Sequence, residues 1–294
     1  MQATATPLTG SDTRRAARRG LTVYFAIVLA LSAVIEGFLI ANPDKTGAIA
    51  LLMFVPTVAS VVARLVLREG FSDVSFRFGG LRWLGAIGIA LVFPLAVGLV
   101  AYGTAWATGL AGFDALPSAG MVVPFVVGLG LGLVLAAGEE IGWRGYMLTR
   151  LIDSGVPRPV LVGGLIWALW HVPLVLGGVY AVGPSPALSA VLIVVSITSF
   201  GYVIGRLRLE SGSVWPAVVL HAVWNRVIQQ IFDPATTGAG ATLWVGESGV
   251  LTALTLILAA VVFSRGSWTI LRKPPRREKA SVQQEGVQAQ PTMR

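Results

Sequence analysis

The chain has 294 residues, of which 55% are hydrophobic and 12% charged, with a formal net charge of +8 and no cysteine. A soluble domain carries roughly twice that charged fraction, so composition excludes one and implies a polytopic membrane protein. The missing cysteine excludes disulfides, thiolate metal sites and a cysteine nucleophile; the basic residues flank apolar runs, so no nucleic-acid partner is expected.

Crossing a bilayer takes about 20 apolar residues. Eight stretches meet that need, roughly 21–41, 47–67, 83–104, 121–140, 159–178, 187–205, 213–232 and 248–265. The first follows Arg14, Arg15, Arg18 and Arg19. It is longer than the apolar part of a signal peptide and lacks a small-residue cleavage site, so it reads as a retained span. Lipid leaves unpaired backbone groups unsatisfied, so every span is expected to be helical. The expected fold is an all-α transmembrane bundle with about eight spans.

Basic residues alternate with the spans. Arg68, Arg77 and Arg82, then Arg144, Arg150 and Arg158, then Arg206 and Arg208, and finally the tail fall on the side of the amino terminus; Lys45 alone falls opposite. The positive-inside rule then puts both termini in the cytoplasm. The expected organisation is a basic amino-terminal segment (1–20), a membrane domain (21–265) and a basic, disordered tail (266–294).

Ionisable groups inside hydrocarbon are costly and point to function. Glu139 and Glu140 end the fourth span. They differ by about 100° around a helix, so they face different neighbours. Glu140 and Arg144 have the favourable spacing and order for a helical ion pair, which leaves Glu139 free. The plain alternative is a charged helix end at the headgroups. His171 lies about 18 Å into span five, counting 1.5 Å per residue from the arginine-rich side. Trp167 sits one turn before it as a buttress; the alternative is a histidine satisfied by a neighbouring carbonyl. His221 and Asn225 share one face of span seven and offer two donors toward one point, as an oxyanion requires. The alternative is a polar pair that holds helices together. Gly128 and Gly132 read as a close helix-packing pair. Arg226 is expected to pair with Glu36, or else to steer an anionic substrate group. Asp233 and Glu247 flank a loop and read as solvated. Together the glutamates, histidines and Asn225 are expected around one cavity open to the cytoplasm.

The order EExxxR, aromatic-xxx-His, HxxxN on separate spans resembles the CAAX prenyl protease and bacteriocin-processing (CPBP, or Abi) family of intramembrane proteases. Glu139 to Arg144, Trp167 to His171 and His221 to Asn225 carry the resemblance, over roughly residues 120–232. It implies an intramembrane endopeptidase acting on a membrane-associated peptide or protein. Glu139 and His171 would activate water, His221 and Asn225 would form the oxyanion hole, and Glu140, Arg144 and Trp167 would support them. Trp167 stands where the family usually has phenylalanine. The basic tails and the Ala, Val and Gly content look bacterial, so a cell membrane is the expected location and a prenylated substrate is not carried over. Glu139, His171 and His221 form an alternative zinc ligand set. No HExxH is present and no second base would remain, so no cofactor is expected. A non-catalytic immunity or partner-binding protein is a second reading, and a proton-coupled transporter a third.

Overall fold

The computed structural model describes residues 10–265. The calls on the first nine residues and on the tail beyond Arg265 lie outside the described residues. The long helices are α1 (Gly10–Ala41), α2 (Ile49–Leu67), α3 (Leu81–Thr108), α4 (Val122–Gly142), short α5 (Leu148–Asp153), α6 (Pro159–Leu176), α7 (Pro186–Ser211) and α8 (Trp215–Val227); after these come the one-turn α9 (Ala241–Trp244) and α10 (Val250–Arg265). Strands β1 (Gly112–Phe113) and β2 (Thr236–Thr237) pair antiparallel and tie the loop after α3 to the loop after α8.

Among the described residues six helical stretches are long and apolar enough to cross a membrane: 11–41, 46–67, 81–108, 122–153, 159–176 and 186–211. Helix α10 is apolar but has 16 residues, about 24 Å at 1.5 Å per residue. Helix α8 runs on through a π-turn at Ile228–Phe232. His221, Asn225, Arg226, Gln229 and Gln230 dilute its apolar character. Side chains such as Leu29, Val34, Leu51, Leu91, Val126 and Val127 are exposed around the bundle, an apolar belt that suits lipid and not water.

Two boundaries differ from the sequence expectation. Helix α1 begins at Gly10, so the arginine segment is part of the first helix, and Ala17 within it is buried. The fourth span does not stop at residue 140. A π-turn (Trp143–Met147) joins α4 to α5, so helix continues to Asp153. Arg144 is therefore a buried helical residue rather than a loop charge.

Glycines set the closest crossings. A Cβ on Gly142 would lie 2.3 Å from the backbone of Pro56, and one on Gly138 2.9 Å from the Met53 carbonyl, so α4 lies directly on α2. A Cβ on Gly164 would lie 2.8 Å from the Thr198 carbonyl, so α6 lies on α7 in the same way. One crossing abuts Glu139 and Glu140; the other lies one turn before Trp167. Pro56, Pro94 and Pro173 sit inside helices; neighbouring helices re-satisfy backbone groups that a proline frees.

An ion-pair network closes the arginine-rich end. Arg150 bridges Glu69, Asp73 and Asp153. Arg64 binds Asp73 and the Gly145 carbonyl, and Arg208 donates to the Asp73 carbonyl and the Ser75 hydroxyl. The connection after α2 is thereby fastened across α5 and α7.

Candidate functional site

Glu140 is fully buried, and one of its oxygens, Oε1, accepts from two partners. Arg144 Nη1 donates to it at 2.9 Å, one turn along the same helix. His221 Nδ1 donates to it at 2.9 Å from α8. This carboxylate therefore fixes both a cation and an imidazole. Because Nδ1 is committed, His221 keeps Nε2 clear of protein partners among the described residues.

Glu139 is 3% exposed and faces α6. The Trp167 indole N–H donates to its Oε2 at 2.8 Å. The Trp167 carbonyl accepts from His171 Nδ1 at 2.8 Å. A carbonyl only accepts, so Nδ1 of His171 carries its proton, and Nε2 is again the nitrogen without a protein partner. Trp167 is more than a buttress for one histidine. Its ring lies 5.5 Å from the His171 ring and 5.3 Å from the His221 ring, and the Arg144 guanidinium lies 4.1 Å over it. One side chain thus touches acid, cation and both imidazoles. Its placement follows from the crossing at Gly164, which seats α6 deep against α7.

Glu139, Trp167, His171, His221 and Asn225 line one cavity of about 650 Å³. Asn225, one turn beyond His221, is half-buried. The cavity extends to the loops at 179–182 and 241–248. These join α6 to α7 and α8 to α10, at the end away from the arginine-rich connections. No residue of 68–82, 144–158 or 206–214 lines it. The lining thus reaches the loop end opposite the arginine-rich connections, and with helix running on to Asp153, Glu139 lies mid-helix.

The mouth holds residues that the sequence did not single out as a site. Asp233 accepts from the Tyr102 hydroxyl, which itself accepts from the Gly246 N–H at 3.0 Å. Burial, with the Glu247 charge nearby, pushes the Asp233 carboxyl up to about 6 despite the Tyr102 bond. Glu247 accepts from Tyr180, from the Trp224 indole at 2.7 Å and from Gln229 at 3.3 Å. Burial and then the Glu247 charge push the Tyr180 hydroxyl up. Neither acid is simply solvated. A lone Asp or Glu in a polar loop gives no sequence signal for such partners. Glu36 is buried, its Oε1 has no hydrogen-bond partner, and Arg226 is not paired with it.

Among the described residues no three of His, Cys, Asp and Glu group as a metal site. Three imidazole or carboxylate donors must converge for zinc. Here one oxygen of Glu139 accepts from Trp167, and His171 and His221 each use Nδ1 on a protein partner.

Residues 118–227 match the Rce1-like family model, type II CAAX prenyl endopeptidase Rce1-like. The matched segment runs from just before α4 to the end of α8 and contains all three motifs. No curated protein matches the chain. The match and the six apolar helices make the chain an integral membrane protein with a Rce1-like segment.

Proposed function

We propose that the protein is an intramembrane endopeptidase that hydrolyses a peptide bond in a membrane-associated peptide or protein. The supporting observation is that Glu139, His171, His221 and Asn225, from three helices, line one cavity. Glu139 is the base: it takes a proton from water as the oxygen attacks the scissile carbonyl. His171 shares that water through Nε2. The tetrahedral oxyanion is held by the Asn225 carboxamide N–H and by His221 as the imidazolium, which donates through Nδ1 to Glu140 and through Nε2 to the oxyanion. Collapse breaks the C–N bond, and Glu139 returns the proton to the leaving amine. Glu140 positions His221, and Arg144 positions Glu140. No step needs a metal.

The proposed topology has eight spans, with α8 and α10 completing the six, and both termini in the cytoplasm of a bacterial cell. With the arginine-rich end inside, the cavity mouth faces outward. Asp44, Asp114, Asp233 and Glu247 against Lys45 make the mouth end the acidic one.

The test is cleavage of membrane-tethered reporter peptides by purified protein, with and without a strong chelator. Glu139→Ala is expected to abolish turnover, and the chelator to leave it intact. Full activity in Glu139→Ala overturns the base assignment; chelator-sensitive activity restored by zinc overturns the metal-free mechanism. Retained biological protection without any cleavage favours the partner-binding role.

A further inference from the structure

Arg226 is the one arginine or lysine among the residues lining the cavity. It follows Asn225 directly and is rotated by about 100° toward α4. It lies eleven positions on from Trp215 at the start of α8, which places it roughly 17 Å from the arginine-rich end. That is the middle of the bilayer, where an ionised arginine is retained for a partner or a task. Among the described residues nothing forms an ion pair or hydrogen bond with its guanidinium. The three acids of the same cavity are held elsewhere: Glu139 by Trp167, Asp233 by Tyr102, and Glu247 by Tyr180, Trp224 and Gln229.

Room for this side chain has been made on α4. A Cβ on Gly128 would lie 2.6 Å from Arg226 Nη1, and a Cβ on Gly132 would lie 3.5 Å from Nε. The glycine pair that reads as a packing motif in the sequence houses a guanidinium. The guanidinium lies along the α4 backbone at these glycines, and Arg226 is half-buried and lines the cavity.

We propose that Arg226 is a substrate-binding residue that takes a carboxylate of the peptide lying in the cavity, within a few residues of the bond cut. This rests on the endopeptidase reading. A guanidinium presents two parallel N–H groups that match a carboxylate. Lipid phosphates lie at the headgroups, far from this depth, so the anion must arrive with the substrate. The carboxylate comes from the free carboxyl terminus or from an Asp or Glu side chain. Arg226 thereby selects which peptides are held with their carbonyl at His221 and Asn225.

The test uses the full-length Glu139→Ala protein in detergent, so that peptide is bound but not cut. Three fluorescent peptides share one apolar core: a free acid, a carboxyl-terminal amide, and an amide bearing one Glu. Anisotropy is expected to show the free acid or the Glu peptide binding about tenfold more tightly than the plain amide, as a charged hydrogen bond implies. Adding Arg226→Gln is expected to erase that difference and leave plain-amide binding within about twofold. Arg226→Lys, which keeps the charge and loses the fork, is expected to retain part of it. Whichever anionic peptide is preferred identifies the source. Equal binding of all three peptides, or an Arg226→Gln variant that keeps the preference, overturns the proposal. Binding does not depend on turnover, so a protein that selects carboxylates yet cuts nothing would sink the endopeptidase reading and not this one.

Discussion

Trp167 carries more of the site than its chemistry suggests. It has no proton to give at working pH, yet its indole N–H is the one described partner of Glu139, and its carbonyl fixes the tautomer of His171. Trp167→Phe keeps the ring and removes the donor. A hydrogen bond to a charged group contributes about 1.5–3 kcal/mol to stability, so the melting temperature is expected to fall measurably, and kcat/KM to fall with it because Glu139 loses the donor that orients it. Trp167→Ala also removes a wall from both imidazoles and the surface under Arg144, and should destabilise the fold by about 3–5 kcal/mol. Glu140 behaves differently. Removing it strands the buried Arg144 charge, so Glu140→Ala is expected to cost about 3–5 kcal/mol, read as a loss of thermal stability before any assay. Equal melting temperatures for Glu140→Ala and the wild type would refute the buried pair. Asp233 sets a pH dependence. Unfolded, it releases its proton near the ordinary 3.8, but folded it holds the proton to about 6. The folded state binds more protons in that window, so this group's contribution to stability declines as pH rises from about 4 to 6 and is flat above. Melting curves of Asp233→Asn against wild type should show a shallower decline across that range; parallel curves would contradict the buried acid.

At the scale of helices, six of the eight expected spans are legible because lipid demands a long apolar run and tolerates no other backbone. The Glu140–Arg144 pair was equally legible from its four-residue spacing. Two things were not. A π-turn inserts one residue into the helical register without any compositional mark, so the sequence places the end of the fourth span at its charges, whereas helix runs on to Asp153. A second π-turn follows the His221–Asn225 motif on α8. Such turns gather at functional sites; here one begins within the Glu139–Arg144 motif and the other lies just past Asn225. The glycines were read as packing residues, yet their jobs differ along α4. Gly142 meets Pro56 backbone, Gly128 meets Arg226, and Gly130 has nothing within 4 Å. Gly142→Ala must push α2 away beside Glu139 and is expected to cost about 1–3 kcal/mol together with most activity. Gly130→Ala on the same helix should be neutral or slightly stabilising, because alanine is the better helix former by up to about 1 kcal/mol. Thermal melts of the pair separate crossing geometry from propensity; matched losses would mean that α4 does not rest on α2 as described.

Across the whole molecule the two ends are built differently. One is fastened by Arg64 and Arg150 on the acids of the connection after α2 and by Arg208 on its Asp73 carbonyl and Ser75 hydroxyl. The other holds the cavity mouth under the loops at 179–182 and 241–248. Counting residues already hinted at this. His171 is thirteenth of the 18 residues of α6, which is nearer the far end than the arginine-rich one. In the proposed topology charge sets which end is inside, since arginines and not acids govern insertion, and the fastened end carries nearly all of them. A substrate would then reach Glu139 from outside the cell, or laterally from the outer leaflet. The lack of cysteine makes a direct measurement possible. Thr242→Cys places one exposed thiol at the mouth, and Arg77→Cys places one at the fastened end. In intact cells a membrane-impermeant maleimide is expected to label the first and not the second, with both labelling after lysis. The reverse pattern would turn the bundle over, put the hollow toward the cytoplasm, and leave the arginines as ion-pair partners with no say in topology.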